Sequence, residues 1–197
     1  MKAFVAVGAG ILLAVLGFFG CAYSKRNQII ALEEQSKAKM GNIESTLQRR
    51  LDLVPNLVRT VEGAGKYEGE TLVKITEKRN QLVGLAEELR KAPKDPSNAP
   101  RVDQLNADLL ATMRAYTGIA TEAYPQLKAT EAYRDLMAQL EGTENRIATA
   151  RRDYNEVTAQ YNTMSRQWGW MPFCGGFKER AIFQASPEAQ KAPEVKF

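Results

Sequence analysis

Arginines, acids and side-chain amides crowd into two stretches of this chain, and their spacing is what could do chemistry. RRLDLVPN (49–56) sets Arg49, Arg50, Asp52 and Asn56 around Pro55. TENRIATARRDYNEVTAQYN (143–162) carries Glu144, Asn145, Arg146, Arg151, Arg152, Asn155 and Asn162. Guanidinium groups beside carboxylates and amides form charge-assisted, often bidentate hydrogen bonds. Such groups fix geometry, but an arginine does not give up its proton near neutral pH. The chain has no histidine, which removes the commonest general base, the usual hydrolase triads and every His-containing metal site. Two cysteines, Cys21 and Cys174, exclude a disulfide framework by number. GAGKYEGE, around Lys66, fails as a phosphate loop, because Thr60 and Tyr67 stand where glycine and Ser or Thr are needed. No enzyme, cofactor or metal is expected.

The elements that must position these residues begin with an apolar run. From Ala3 to Ser24 there are 22 residues without a charge, and about 20 apolar residues cross a bilayer core. A single-span anchor over residues 1–26 is one reading; a lipoprotein signal ending at Gly20–Cys21 is the other. Along the run Gly10, Ala14, Gly17 and Cys21 recur at intervals of four, three and four. Small residues on one face let helices approach closely in lipid, so this face is expected to associate with a second copy. Lys2, Lys25 and Arg26 belong to this end; with those three of the 27 basic residues set aside, 24 remain against 23 acids. Such a balance gives no case for nucleic acid.

Beyond Arg26 the apolar spacing is helical and no stretch alternates with period two. A first helix is expected over about 28–62, a second over 69–91 and a third over 102–122. PKDPSNAP (93–100) separates the second from the third. The apolar stripe Met40, Ile43, Leu47, Leu51, Val54, Val58, Val61 keeps step through Pro55, so the first helix is expected to bend there and continue. The fourth helix follows a strict three-four alternation from Tyr133 to Trp168, the mark of a coiled-coil-like seam. The fold class is therefore all-α: an N-terminal transmembrane helix, then an elongated antiparallel bundle over 27–168 with two long and two shorter helices. An aromatic, glycine-rich segment follows over 169–197. Parity brings Trp168, Trp170, Phe173 and Phe177 back to the base, either as an interfacial foot on lipid or as a cap on the bundle.

Three polar blocks remain: RRLDLVPNLV (49–58), EAYPQLKA (122–129) and TENRI followed by RRDYN (143–155). In order and in length they resemble the LemA family of bacterial membrane proteins, with the likeness running from Tyr23 to the terminal APEVKF. One departure is Tyr23–Ser24, where many members have Tyr-Asn. The resemblance implies an N-terminally anchored helical protein and supplies no catalytic activity.

Pairing the two long helices with Gln28 opposite Trp168 puts Pro55 opposite Glu141–Gly142, where glycine would leave room for a bulged backbone. It also puts Asp52 within reach of Arg146 or Arg151, and Arg49 or Arg50 near Glu144. The polar stripe is expected to be a satisfied network fixing the register of the two helices; the alternative is a strip that binds a partner. Two functions stand: a self-associating structural or interaction protein, and an accessory factor for another membrane system such as a protease or a signalling kinase. The expected partners are the lipid bilayer, a second copy and a further membrane protein. The expected location is the bacterial inner membrane. Lys25, Arg26, Lys37 and Lys39 favour a cytoplasmic bundle by the positive-inside rule. An export-like N-terminus favours the extracytoplasmic side, which is the reading adopted.

Overall fold

A computed structural model describes residues 2–65, 67–92 and 96–183. Four helices carry the chain: α1 over Lys2–Glu62, α2 over Gly69–Lys91, α3 over Ala99–Ala123 and α4 over Glu131–Trp168. Short 3-10 turns at Pro96–Asn98 and Pro125–Ala129 lead into α3 and α4. Part of the turn expected at 93–100 and the end of the 169–197 segment lie outside the described residues.

The 61 residues of α1 form one helix, about 90 Å long at 1.5 Å per residue. No break separates the apolar end from the bundle, so residue 26 ends a composition and not an element. The apolar end is long and apolar enough to cross a membrane. Pro55 sits inside the helix, as the unbroken stripe requires. Pro55 and Asn56 are exposed whereas Val54 and Leu57 are buried. The proline ring therefore falls on the solvent side, while the carbonyl that loses its helical donor belongs to Leu51, one turn back in the core.

Local chemistry sets the other boundaries. Pro100 occupies the first turn of α3, where its absent N–H costs nothing. Pro125 disfavours helical backbone at Tyr124 and ends α3. Thr130 caps α4 by accepting the Tyr133 N–H at 3.4 Å. The helices pack as two pairs, α1 with α4 and α2 with α3. One core joins Met40, Ile43, Leu47, Leu51, Val54, Leu57 and Val61 of α1 to Leu82 and Leu89 of α2, Leu105, Leu109 and Tyr116 of α3, and Ile147 and Tyr154 of α4. Leu72, near the start of α2, is exposed.

The α1–α4 register differs from the expected one by about two residues. Ser36 Oγ meets Thr158 Oγ1 at 2.9 Å, and Arg50 meets Glu144. Gly142 does not make room for Pro55: the only neighbour a Cβ there would meet is the Arg146 guanidinium, at 3.3 Å.

The α1–α2 corner depends on Gly65. Tyr67 donates to the Val61 carbonyl at 2.9 Å and packs edge-on against Tyr124, centroids 5.0 Å apart. A Cβ at Gly65 would lie 2.5 Å from the Tyr124 ring. Gly65→Ala is therefore expected to cost about 1–3 kcal/mol by overpacking. Gly84→Ala on α2, where a Cβ meets nothing within 4 Å, should be neutral or stabilising. Thermal unfolding of the two variants side by side checks this.

Candidate functional site

The polar stripe of α4 divides into two arrangements, one buried near mid-height and one at the base. At mid-height Arg50 is 1% exposed, among the most buried large side chains in the protein. Its Nη1 donates to Asn106 Oδ1 of α3 at 2.8 Å, and its Nη2 lies 3.5 Å from Glu144 Oε2 of α4. One guanidinium thus ties three helices together. Burial lowers its proton affinity, with Arg151 and Arg114 acting in the same direction and Glu144 opposing. Next to it Arg151 Nη2 lies 2.6 Å from Asp103 Oδ1. Burial raises the Asp103 pKa against the pull of Arg151, and lowers that of Arg151 against Asp103 and Glu144. For both partners, which are partly buried, desolvation outweighs attraction.

Asp52 does not join this junction. It is exposed and accepts from Gln48 one turn back at 2.7 Å. Asn56 is also exposed and accepts from Arg59. Arg146 turns back to the Gly142 carbonyl at 3.1 Å, and Arg49, Asn145 and Arg152 lie exposed. Beside Arg50 a groove of about 360 Å³ opens between α3 and α4, walled by Met113, Arg114, Met137, Leu140 and Glu144.

The amides expected to face α1 do something else. After Gly169 the chain turns back and residues 178–183 run extended along α4, antiparallel to it. Tyr161 donates to the Lys178 carbonyl at 3.0 Å, and Tyr154 to the Ala181 carbonyl at 2.9 Å. Asn162 holds both polar backbone groups of Arg180, each at 2.9 Å. Asn155 holds both of Phe183, at 2.7 and 2.9 Å. Each amide thereby offers the donor and acceptor that a neighbouring strand would offer.

The spacing explains why this closes. Tyr154–Asn155 and Tyr161–Asn162 are seven residues apart, about 10.5 Å along a helix. The residues they hold are three apart, about 10 Å of extended chain. Side chains complete the clasp. Arg180 reaches Glu33 of α1 through its carboxylate at 2.8 Å and its carbonyl at 3.1 Å, and stacks over Tyr161. Phe183 is buried against Tyr154, with Arg151 over its ring. The tyrosines of the seam are therefore ligands of the chain's own C-terminal segment as well as core. A repeated Tyr-Asn pair at heptad spacing was the available signal.

The returning segment also forms a foot where the apolar end meets the bundle. Met171 and Cys174 are buried against Ala22, Ile29 and Tyr161, and the Cys174 thiol donates to the Ala22 carbonyl at 3.3 Å. Lys25 Nζ lies 5.0 Å from the centroid of the Trp168 ring. Phe177 packs edge-on to Tyr161. Trp170 and Phe173 stay exposed, and Phe173 lies 6.0 Å from Phe19 of the apolar run. Phe173 has φ 66°, strained for a bulky residue. Capping and exposed aromatic display thus belong to different residues of one segment.

The chain is 28% identical over 191 residues to magnetosome protein MamQ 2 of Paramagnetospirillum magneticum, covering 89% of this chain and 70% of that protein. It is 25% identical over 191 residues to magnetosome protein MamQ of Magnetospirillum gryphiswaldense, with the same coverage. Protein LemA of Metamycoplasma hominis is 24% identical over 179 residues, covering 88% of this chain and 76% of that one. The family model described as LemA family matches residues 39–197, from mid-α1 through the arginine junction and the clasp, and the chain belongs to the LemA family.

Proposed function

We propose that this protein is a membrane-anchored, self-associating structural and interaction protein without catalytic activity of its own. The observation that carries the reading is α1, which runs from the apolar segment into the core of the bundle without interruption. An anchor joined in this way holds the bundle upright on the membrane surface rather than tethering it loosely. The arginine junction and the clasp engage groups within the chain, and the relatives' names carry no reaction. The apolar end is proposed to cross the bacterial inner membrane once, with the bundle on the extracytoplasmic side. Trp170 and Phe173 then stand at the interface, where aromatic rings are favoured.

Association is assigned to the face of Gly10, Ala14, Gly17 and Cys21, all exposed, where the glycines have nothing within 4 Å of a would-be Cβ. Mild oxidation of membranes should link chains through Cys21. Gly10→Leu or Gly17→Leu should weaken the assembly, whereas Ile11→Leu should not. A protein that stays unlinked at Cys21 and keeps its assembly with Gly17→Leu does not associate through this face. Purification in mild detergent separates the alternative function: a stoichiometric foreign membrane protein would make this chain an accessory factor.

A further inference from the structure

The lower part of the bundle is built from fewer helices than the upper part. The α2–α3 hairpin reaches down to about the level where Asn106 and Asp103, near the start of α3, meet Arg50 and Arg151. Below that level α1 and α4 continue as a pair, and the clasp covers one side of it. Among the described residues the other side is open. There Gln28, Ala31, Leu32 and Gln35 of α1 and Ala159, Gln160, Thr163 and Met164 of α4 line a groove of about 650 Å³. None of these eight side chains is charged.

The groove continues a longer pattern on α1. Taken at three-four spacing from Val7, the positions are Val7, Gly10, Ala14, Gly17, Cys21, Ser24, Gln28, Ala31, Gln35, Ala38, Asn42 and Ser45. Every one is exposed and none is charged. Within the apolar run this is expected of any span. From Ser24 onward it is not, because Arg26, Glu34, Lys37 and Glu44 are exposed on the same helix and an exposed helical face ordinarily carries charge. The strip keeps to one heptad seam for five repeats.

We infer that a second copy of this chain occupies the groove, with the two α1 helices forming a parallel, in-register pair from the anchor up to about Ser45. The inference rests on the self-association proposed above and extends it beyond the membrane. Three features point to this occupant. Around a twofold axis each residue faces its own copy, so a charge on the strip would meet itself; uncharged amides such as Gln28, Gln35 and Asn42 do not, and a polar residue at such positions specifies register. The flanks are complementary in that register, since Glu34 lies at the position that faces Lys39 of the second copy five residues on, the usual ion pair of parallel coiled coils. Glu34 is exposed and bonds locally, to Lys37; Lys39 meets Asp153 within its own chain. The area also suffices. A strip about 57 Å long and about 10 Å wide covers roughly 1,100 Å² for the pair, above the roughly 1,000 Å² that marks a specific interface. Two copies would complete a four-helix arrangement of α1 and α4 at the level where the described residues of one copy supply two.

Single cysteines in the full-length protein test this in membranes. In a Cys21→Ser parent, Gln28→Cys and Gln35→Cys are oxidised with copper phenanthroline and compared with Ile30→Cys, which is exposed on another face. The expected result is a disulfide-linked dimer at positions 28 and 35, at least tenfold above that at position 30. No linkage at 28 and 35, in a protein whose native Cys21 does crosslink, overturns the stalk pairing and leaves anchor association standing. No linkage at 21, 28 or 35 overturns both. Equal linkage at position 30 overturns the register.

Discussion

Replacing Arg50 with methionine is expected to lower the stability of the purified full-length protein by about 3 kcal/mol. For a chain of this size that is a fall of roughly 6–12 °C in Tm. Methionine fills much of the space, so the loss is mainly polar. Asn106 Oδ1 loses its 2.8 Å donor inside the core, and an unsatisfied buried acceptor costs about 1–3 kcal/mol. Glu144 loses one of two arginine partners, keeps Arg114 at 3.9 Å, and being only partly buried rehydrates. Arg50→Met combined with Asn106→Leu should recover most of the loss, because removing both members of a buried polar pair is far milder than removing one. Asp52→Ala should stay within about 0.5 kcal/mol, as exposed sites do. Equal losses for Arg50→Met and Asp52→Ala would mean that the buried junction does not hold the helices together.

The second large effect is local. Asn155→Ala with Asn162→Ala removes four hydrogen bonds to the extended segment. At about 1 kcal/mol each, and allowing for non-additivity, opening of the clasp becomes easier by about 3 kcal/mol, or on the order of 100-fold. Limited trypsin treatment reads this directly, since Lys178 and Arg180 lie within the clasp and cleavage follows the open population. Cleavage there should rise by about two orders of magnitude while thermal unfolding of the α1–α4 core shifts little. Asn145→Ala, exposed on the same helix, should leave the pattern unchanged. Full protection in the double variant would show that the amides do not hold the segment.

The helices were legible because burial imposes a period on sequence. The stripe from Met40 to Val61 passed through Pro55 without losing step, and the helix does the same. The register was less legible, since an apolar seam constrains facing residues only to within a turn. Two residues along a helix rotate a side chain by about 200°, which is enough to exchange Asp52 for the Arg50 that occupies the junction. The clasp was hidden for another reason. Residues 178–183 are extended without a strand partner, so they need no alternating pattern. The information that orders them sits in α4, where Asn155 and Asn162 look like any polar stripe until the chain is known to turn back at Gly169.

The unbroken α1 also makes the molecule a lever. From Ser24 to Glu62 it rises about 57 Å. Seated in a bilayer whose thickness mismatches the apolar run, a helix tilts, commonly by about 20°. That tilt carries the Glu62 end sideways by about 20 Å. With no joint at residue 26 to absorb the angle, a few ångströms of membrane thickness become a displacement as wide as two helices at the far tip of the bundle.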